Sequence, residues 1–345
     1  MKVLAIRFSS MGDVALVAAA AKAWLSANQK NELLVCSRPQ FKPLFEPIER
    51  CEFFPADLNK DYKGLNGMKM LADQLVNYFD FDLVADLHDN LRSRVLSTFF
   101  RFQGFQISRI NKGRSEKRKL TRRKNKLLYP LAHTVDRYLD ALPGKVLWQD
   151  IYLPVYVATG NQISSGSLKV GIAPYAKHRV KQWSESKFAE LVRLLGENQI
   201  ECIVFGSQDE KRNFRNLFPD SAQYIQIPAI QGLAEEIQLM TSLDAFVALD
   251  SFNMHLAYLC GLPVVSIWGP THPYIGFGPL GISKNFIVQK ELECRPCSAF
   301  GQKKCFRGDH ACMESITTEQ VFQQVKKALE TRRQQSTQAG RTSPP

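Results

Sequence analysis

The sequence predicts an α/β protein of two domains, each a parallel sheet with helices on both faces and the two sheets facing a central cleft. Three observations carry that prediction. The chain has 345 residues, too many for one ordinary domain. Short apolar runs alternate with helical patterns along most of its length, the signature of parallel sheets. A Gly/Ser-rich stretch at Thr159 to Ser167, after Leu153-Pro154, interrupts the alternation near the middle and reads as an interdomain linker.

In the first half, Val3 to Ile6 reads as a strand and the alanine-rich run Val14 to Ala23 as the helix after it. Leu33 to Cys36 is a second strand, Met68 to Phe79 a helix and Leu83 to Asp86 a strand. A helix at Val135 to Leu142 stops at Pro143-Gly144, where two helix breakers coincide. The second half repeats the scheme: strands at Lys169 to Ala173, Glu201 to Phe205, Ala245 to Leu249 and Pro263 to Ile267. Helices fall at Glu185 to Leu195, Glu210 to Leu217, Leu233 to Thr241 and Asn253 to Cys260. Thr318 to Glu330 is a last amphipathic helix, and the polar run Thr331 to Pro345 reads as disordered. The domains are therefore expected at 1–158 and 159–317, with a C-terminal helix at 318–333 and a tail at 334–345.

The 45% hydrophobic content suffices for two cores, and no segment approaches the ~20 uninterrupted apolar residues of a membrane span. Arg7 and Asp13 interrupt the N-terminal apolar stretch, which argues against a signal peptide and for a cytoplasmic protein. The net charge of +12 calls for an acidic partner. Ten basic residues and one acidic residue lie between Arg109 and Lys126, which reads as a basic loop. No aromatic residue interleaves with them, as stacking on nucleic acid would require, so nucleic acid is not the expected partner. An anionic membrane surface, an acidic glycolipid and a merely solvated loop all remain compatible with this run.

No Gly-x-Gly-x-x-Gly or Walker A run is present, which removes support for a Rossmann dehydrogenase or a P-loop enzyme. The chemistry-bearing residues fall instead where strands hand over to helices, at the edge where open α/β sheets bind ligands. Asp13 follows the first strand in Arg7-Phe-Ser-Ser-Met-Gly-Asp13-Val. A carboxylate there is suited to taking a proton from a hydroxyl, or it is an N-cap satisfying helix amides. Three loops of the second half add to it. The first carries Lys177, His178, Arg179 and Lys181 before a helix start, a setting for phosphate. The second, Phe205-Gly206-Ser-Gln-Asp209-Glu210, offers acids for ribose hydroxyls. The third, Asp250-Ser251-Phe-Asn253-Met-His255, opens a helix whose free amides can receive a diphosphate. Together they describe a nucleotide-diphosphate pocket. His88 and His255 are the alternative bases, though a structural role is the commoner one for each.

These motifs, taken in order, resemble glycosyltransferase family 9, the ADP-heptose:lipopolysaccharide heptosyltransferases. The match rests on Arg7-Phe-Ser-Ser-Met-Gly-Asp13-Val, on Asp82-Leu-Val-Ala-Asp86-Leu-His88-Asp-Asn90-Leu-Arg92-Ser-Arg94, on Asp250-Ser251-Phe-Asn-Met-His255-Leu256-Ala and on Ile267-Trp-Gly269-Pro270-Thr271-His-Pro273. The resemblance implies a GT-B fold, two Rossmann-like domains, with the sugar nucleotide in the C-terminal one. It implies an inverting transfer from ADP-heptose, or a related nucleotide sugar, to an acidic lipid-linked oligosaccharide of the lipopolysaccharide core. Asp13 would be the general base, and Lys181 would neutralise the leaving diphosphate without a catalytic metal. Ser10, Gly12, Lys177, Gly206, Glu210, Asp250, Ser251 and His255 would bind the donor. Arg92, Arg114, Arg118 and Arg122 would meet the acceptor, with peripheral contact at the cytoplasmic face of the inner membrane. Phe252 departs from the family, which commonly has glycine there. A different nucleotide sugar and glycan, or a non-catalytic binder, are the alternatives.

Of eight cysteines, four crowd into Cys294-x2-Cys297-x7-Cys305-x6-Cys312. That spacing is compatible with a structural zinc or with four reduced thiols. Cys36, Cys51, Cys202 and Cys260 read as small apolar packing residues.

Overall fold

In a computed structural model of the chain, the described residues are 1–146, 154–156, 167–217 and 223–341, without the side chains of Ile282 and 335–341. The linker expected at Thr159 to Ser167 lies, but for Ser167, outside them. The chain divides into two compact units. The first comprises Met1–Gly113 and Ala132–Val155 with the short piece Gly232–Ala234; the second comprises Arg114–Leu131, Tyr156–Gln231 and the chain from Glu235 on.

The first unit is built on five parallel strands: β1 (Lys2–Ile6), β2 (Glu32–Ser37), β3 (Cys51–Pro55), β4 (Leu83–Asp86) and β5 (Gln106–Arg109). They lie in the order β3-β2-β1-β4-β5. β1 is central because its run Val-Leu-Ala-Ile is buried on both faces, as a doubly covered parallel strand must be. Leu4 and Ile6 join Leu34, Val84, Leu71, Leu75, Leu96 and Phe100 in one core. That is the face covered by helices α2 (Gly64–Tyr78) and α3 (Leu91–Phe102). Val3 and Ala5 point the other way by the two-residue period of a strand. Helix α1 (Met11–Ala27) is tied to α5 (Thr134–Leu139) and its C-terminal turn: Tyr138 donates to the Asp13 carbonyl at 3.3 Å, and Trp24 to the Pro143 carbonyl at 2.8 Å.

The second unit holds six parallel strands: β6 (Leu168–Ala173), β7 (Ile200–Val204), β8 (Ile225–Gln226), β9 (Ala245–Leu249), β10 (Val264–Trp268) and β11 (Ile287–Gln289). Their order is β11-β10-β9-β6-β7-β8. Helices α6 (Glu185–Glu197), α7 (Gln208–Leu217), α8 (Leu233–Thr241) and α9 (Phe252–Leu259) alternate with the strands. Phe188, Leu191, Val192 and Leu195 of α6 share a core with Val321, Phe322, Val325 and Leu329 of the last helix, α11 (Thr318–Arg341), which follows the short α10 (Ala311–Glu314). Gly171 in β6 is required by this packing, because a Cβ there would come within 2.5 Å of the Phe246 ring.

Two sequence expectations change. The basic run is not a loop of the first domain. β5 ends at Arg109, a helix α4 spans Arg114–Thr121, and the segment Arg114–Leu131 belongs to the second unit. The reason is apolar: Leu120 and Leu131 are buried with Ile275, and Lys117 lies 4.4 Å from the centre of the Phe277 ring. The C-terminal segment is also longer in helix than expected. α11 continues to Arg341, since Gln, Arg and Ala are compatible with a helix.

Candidate functional site

In each unit two of the candidate residues, Asp13 and His88 in the first and Lys181 and Asp250 in the second, follow the strands between which the strand order reverses. Open α/β sheets place their ligand crevice at that switch point. In the first sheet it lies between β1 and β4. Asp13 follows β1 and His88 follows β4, and Ser9 Oγ lies 3.4 Å from His88 Nε2.

Asp13 is not the N-cap. Ser10 caps α1, and Asp13 is the third helical residue, with its carboxylate turned back. Its Oδ2 accepts from Ser10 Oγ at 2.7 Å and, more weakly, from Ser10 N at 3.4 Å. Arg7 closes an ion pair on the same oxygen at 2.7 Å, while its other terminal nitrogen donates to the Leu87 carbonyl at 2.7 Å. Arg7 is 7% exposed and Asp13 22%, so a buried cation orients a carboxylate that still reaches solvent. Gly12, half-buried, precedes it in the first turn. Arg7 was not a candidate in the sequence; its place at the head of the first motif, four residues before α1 begins, was the available signal.

His88 is unsuited to be the base. Burial, reinforced by Arg7 and Lys112, pushes its pKa down to about 3, leaving the imidazole neutral and weakly basic. Its Nδ1 accepts from Phe8 N at 3.3 Å, which holds the β1 and β4 ends together. Below it, fully buried Asp86 accepts from the amides of His88 and Asp89 and from Arg109 Nε, so this edge is braced by a carboxylate. Arg92 is exposed on the first turn of α3.

In the second sheet the switch point lies between β6 and β9. The loop after β6 delivers Lys181 at the end of a short 3-10 turn, and the loop after β9 delivers Asp250. Lys181 Nζ donates to Asp250 Oδ2 at 3.0 Å and to the Asp250 carbonyl, with both side chains almost fully buried. An ammonium has three donors, so one remains beyond the two that Asp250 takes. The stem of Lys181 runs against Gly301, where a Cβ would meet Lys181 Cγ at 2.5 Å and where φ is +76°.

Ser251 is the N-cap of α9, and its Oγ is buried with no hydrogen-bond partner among the described residues. Thr271, in the loop after β10, has an Oγ1 in the same condition and is 1% exposed. Buried hydroxyls left unsatisfied are uncommon in proteins and are natural places for a ligand oxygen. Thr271 lay inside a quoted motif but was not among the donor residues. Phe252 opens α9, half-buried.

The remaining candidates are placed less tightly. Lys177 is exposed. Glu210 is used by its own helix: its Oε2 accepts from Ser207 N at 2.8 Å and Ser207 Oγ at 3.0 Å, below Gly206 at φ +146°. His255 is buried in α9, its ring edge-on to Tyr258. Arg114, Arg118 and Arg122 are exposed on and just after α4, in the second unit.

Cys294, Cys297, Cys305 and Cys312 line one pocket with Arg295, His310 and Asp309. Among the described residues, however, no group of three or more His, Cys, Asp or Glu is arranged to hold a metal ion. Cys297 Sγ faces the Pro270 carbonyl at 3.7 Å, and Cys312 joins Met313 in the second core. Burial pushes the Cys312 thiol up to about 11 and raises Cys297 as well.

Comparison with known proteins agrees with this layout. The chain is 27% identical over 221 residues to lipooligosaccharide heptosyltransferase 2 of Campylobacter jejuni serotype O:2, covering 60% of this chain and 66% of that one. With the serotype O:6 protein it is 26% identical over 210 residues, 56% and 64% of the respective lengths. The matches thus span just under two thirds of these relatives. The solved structure of E. coli ADP-heptose lps heptosyltransferase II has the same fold, with a TM-score of 0.66 at 19% identity, covering 96% of this chain and 99% of that one. Residues 70–305 match the sequence pattern of glycosyltransferase family 9 (heptosyltransferase), and the chain belongs to that family.

Proposed function

We propose that the protein is an inverting glycosyltransferase that moves a heptose from ADP-heptose to an acidic, lipid-linked oligosaccharide of the lipopolysaccharide core. The observation that carries the reading is the Arg7–Asp13 pair at the switch point of the first sheet: a carboxylate held by a buried cation and still open to solvent. Asp13 takes the proton of the acceptor hydroxyl as that oxygen forms its bond to the anomeric carbon. The bond from that carbon to the diphosphate oxygen breaks, its electron pair leaves with the diphosphate, and the configuration inverts. A carboxylate with an ordinary pKa near 4 is ionised at neutral pH and needs only to be aimed.

The second unit holds the donor. Lys181 lies where charge develops on the leaving diphosphate, and positive charge there stabilises the transition state. The first amides of α9 and the Ser251 and Thr271 hydroxyls supply further donors to its oxygens. Phe252 replaces a small residue at that helix start, so the sugar or base accepted is the part of the specificity most open to change. Lys177, Gly206, Glu210 and His255, and Ser10 and Gly12 of the first unit, bind the donor in the same reading, and the exposed Arg92, Arg114, Arg118 and Arg122 meet the acidic acceptor. Among the described residues no helix is long and apolar enough to cross a membrane, and the lipid-linked acceptor brings the protein to the cytoplasmic face of the inner membrane.

Calorimetric titration with ADP, UDP, GDP and CMP, then with ADP-heptose, tests the donor assignment. Selective ADP binding, tightened by the heptosyl group and weakened by Lys181→Ala, is the expected result. Preference for UDP or GDP would discard heptose and leave the transferase chemistry.

A further inference from the structure

The second unit carries a surface on which basic and apolar side chains alternate, assembled from two distant parts of the chain. The segment after α4 is Arg122-Arg123-Lys124-Asn125-Lys126-Leu127-Leu128-Tyr129. It runs over the cysteine-rich loop: Lys126 Nζ donates to the carbonyls of Cys294 at 2.6 Å and Pro296 at 2.9 Å. Arg123 lies 4.6 Å from the centre of the Phe306 ring, and Lys117 lies 5.6 Å from that of Phe300. Leu131 N bonds the Tyr274 carbonyl at 2.9 Å and pins the end of the segment. The surface left outside is amphipathic. Leu127, Leu128 and Tyr129 are 48%, 47% and 39% exposed, and Phe300 and Phe306 nearly half exposed. Arg118, Lys119, Arg122, Arg123 and Lys124 are exposed beside them, with Lys303 and Lys304 on the loop.

We propose that this surface docks the protein on an anionic phospholipid bilayer, an inference that rests on the reading of a lipid-linked acceptor. Four features favour a bilayer. Cations near an anionic membrane gain about 1 kcal/mol each, and from Arg114 to Leu131 the only acid is Glu116. Leu127 and Leu128 are aliphatic, so they gain by entering acyl chains and have no face for a base to stack on. Both exposed phenylalanine rings of this surface already have cations over them, Arg123 on Phe306 and Lys117 on Phe300. Tyr129 ends the run with the amphipathic ring that favours the headgroup level. Lys126, bonded to two carbonyls, anchors the segment to the loop rather than serving the lipid.

The test is sedimentation of the full chain with vesicles of equal parts phosphatidylethanolamine and phosphatidylglycerol, against phosphatidylcholine vesicles. The protein should pellet with the anionic vesicles alone, less so as salt rises. The double variant Arg123→Gln with Lys124→Gln should lower the partition coefficient about thirtyfold. Leu127→Ser with Leu128→Ser should lower it about tenfold, with circular dichroism unchanged because both side chains are exposed. Equal pelleting of wild type and both variants overturns the proposal, as does equal pelleting with both kinds of vesicle. Displacement from the vesicles by a single-stranded oligonucleotide also overturns it, in favour of nucleic acid. The vesicles hold no glycan acceptor, and the nucleotide titration is independent of them, so either reading can fail alone.

Discussion

Arg7 and Asp13 form the contact on which catalysis turns in this account, and the contact is directional. Arg7 is fixed by the Leu87 carbonyl and aims Asp13 through Oδ2. Arg7→Met should lower kcat about a hundredfold with little change in KM for the donor, because a carboxylate displaced by an ångström loses that much. Arg7→Lys should restore part of the rate, and the acid limb of the pH–rate profile should move up in Arg7→Met, where the carboxylate has lost its cation. A merely structural arginine would move neither limb. Two buried histidines make a separate prediction about stability. His88 and His272 are pushed down to about 3 and about 4, chiefly by burial, against an unfolded value near 6.5. The unfolded chain therefore binds more protons than the native one between those values, so their contribution is whole above pH 6.5 and is lost as pH falls. Each should cost about 2 kcal/mol at pH 5, and a His88→Gln, His272→Gln variant should show a flatter melting temperature between pH 7 and 5 than the parent.

At the scale of elements, strand-to-helix handovers were legible because parallel strands buried on both faces leave unbroken apolar runs; the strands at Leu83–Asp86 and Ala245–Leu249 match the sequence reading to the residue. The edge strands were not. β3 (Cys-Glu-Phe-Phe-Pro) and β5 (Gln-Ile-Ser-Arg) are short and carry polar residues, since one of their sides pairs with no strand among the described residues. The basic segment was read as a loop for a related reason. Its partners Phe277, Phe300 and Phe306 are far along the chain, so cation–π packing could not be seen in the local pattern. Two glycines give checks at this scale. Gly67 in α2 faces the Tyr62 backbone, whose carbonyl carbon would be 2.3 Å from a new Cβ. Backbone cannot swing aside as a side chain can, so Gly67→Ala should cost about 3 kcal/mol in urea unfolding. Gly301→Ala should act differently, shifting the Lys181 stem and weakening ADP binding by about tenfold through the displaced ammonium.

At the scale of the whole molecule, the order of motifs along the chain was the strongest signal, and it translates into topology. Four of the motif residues follow strands beside a reversal in strand order, Asp13 and His88 in the first sheet, Lys181 and Asp250 in the second. What could not be read was which side chains pair with one another there. The Arg7–Asp13 and Lys181–Asp250 contacts join residues whose partnership depends on loop geometry, and the unsatisfied Ser251 and Thr271 hydroxyls are visible only once burial is known. Phe252 is a whole-molecule question too, because it bears on which sugar nucleotide the second unit accepts; Phe252→Gly should broaden the range of nucleotide sugars bound in the titration. The most direct test of the account is transfer of heptose from ADP-heptose to a heptose-deficient lipid A-core acceptor by the wild type and by Asp13→Asn. The wild type should give one glycosidic product of inverted anomeric configuration, and the variant should lose about a thousandfold in turnover with its ADP affinity unchanged. Full turnover by Asp13→Asn, or a product that retains the donor's configuration, would contradict it.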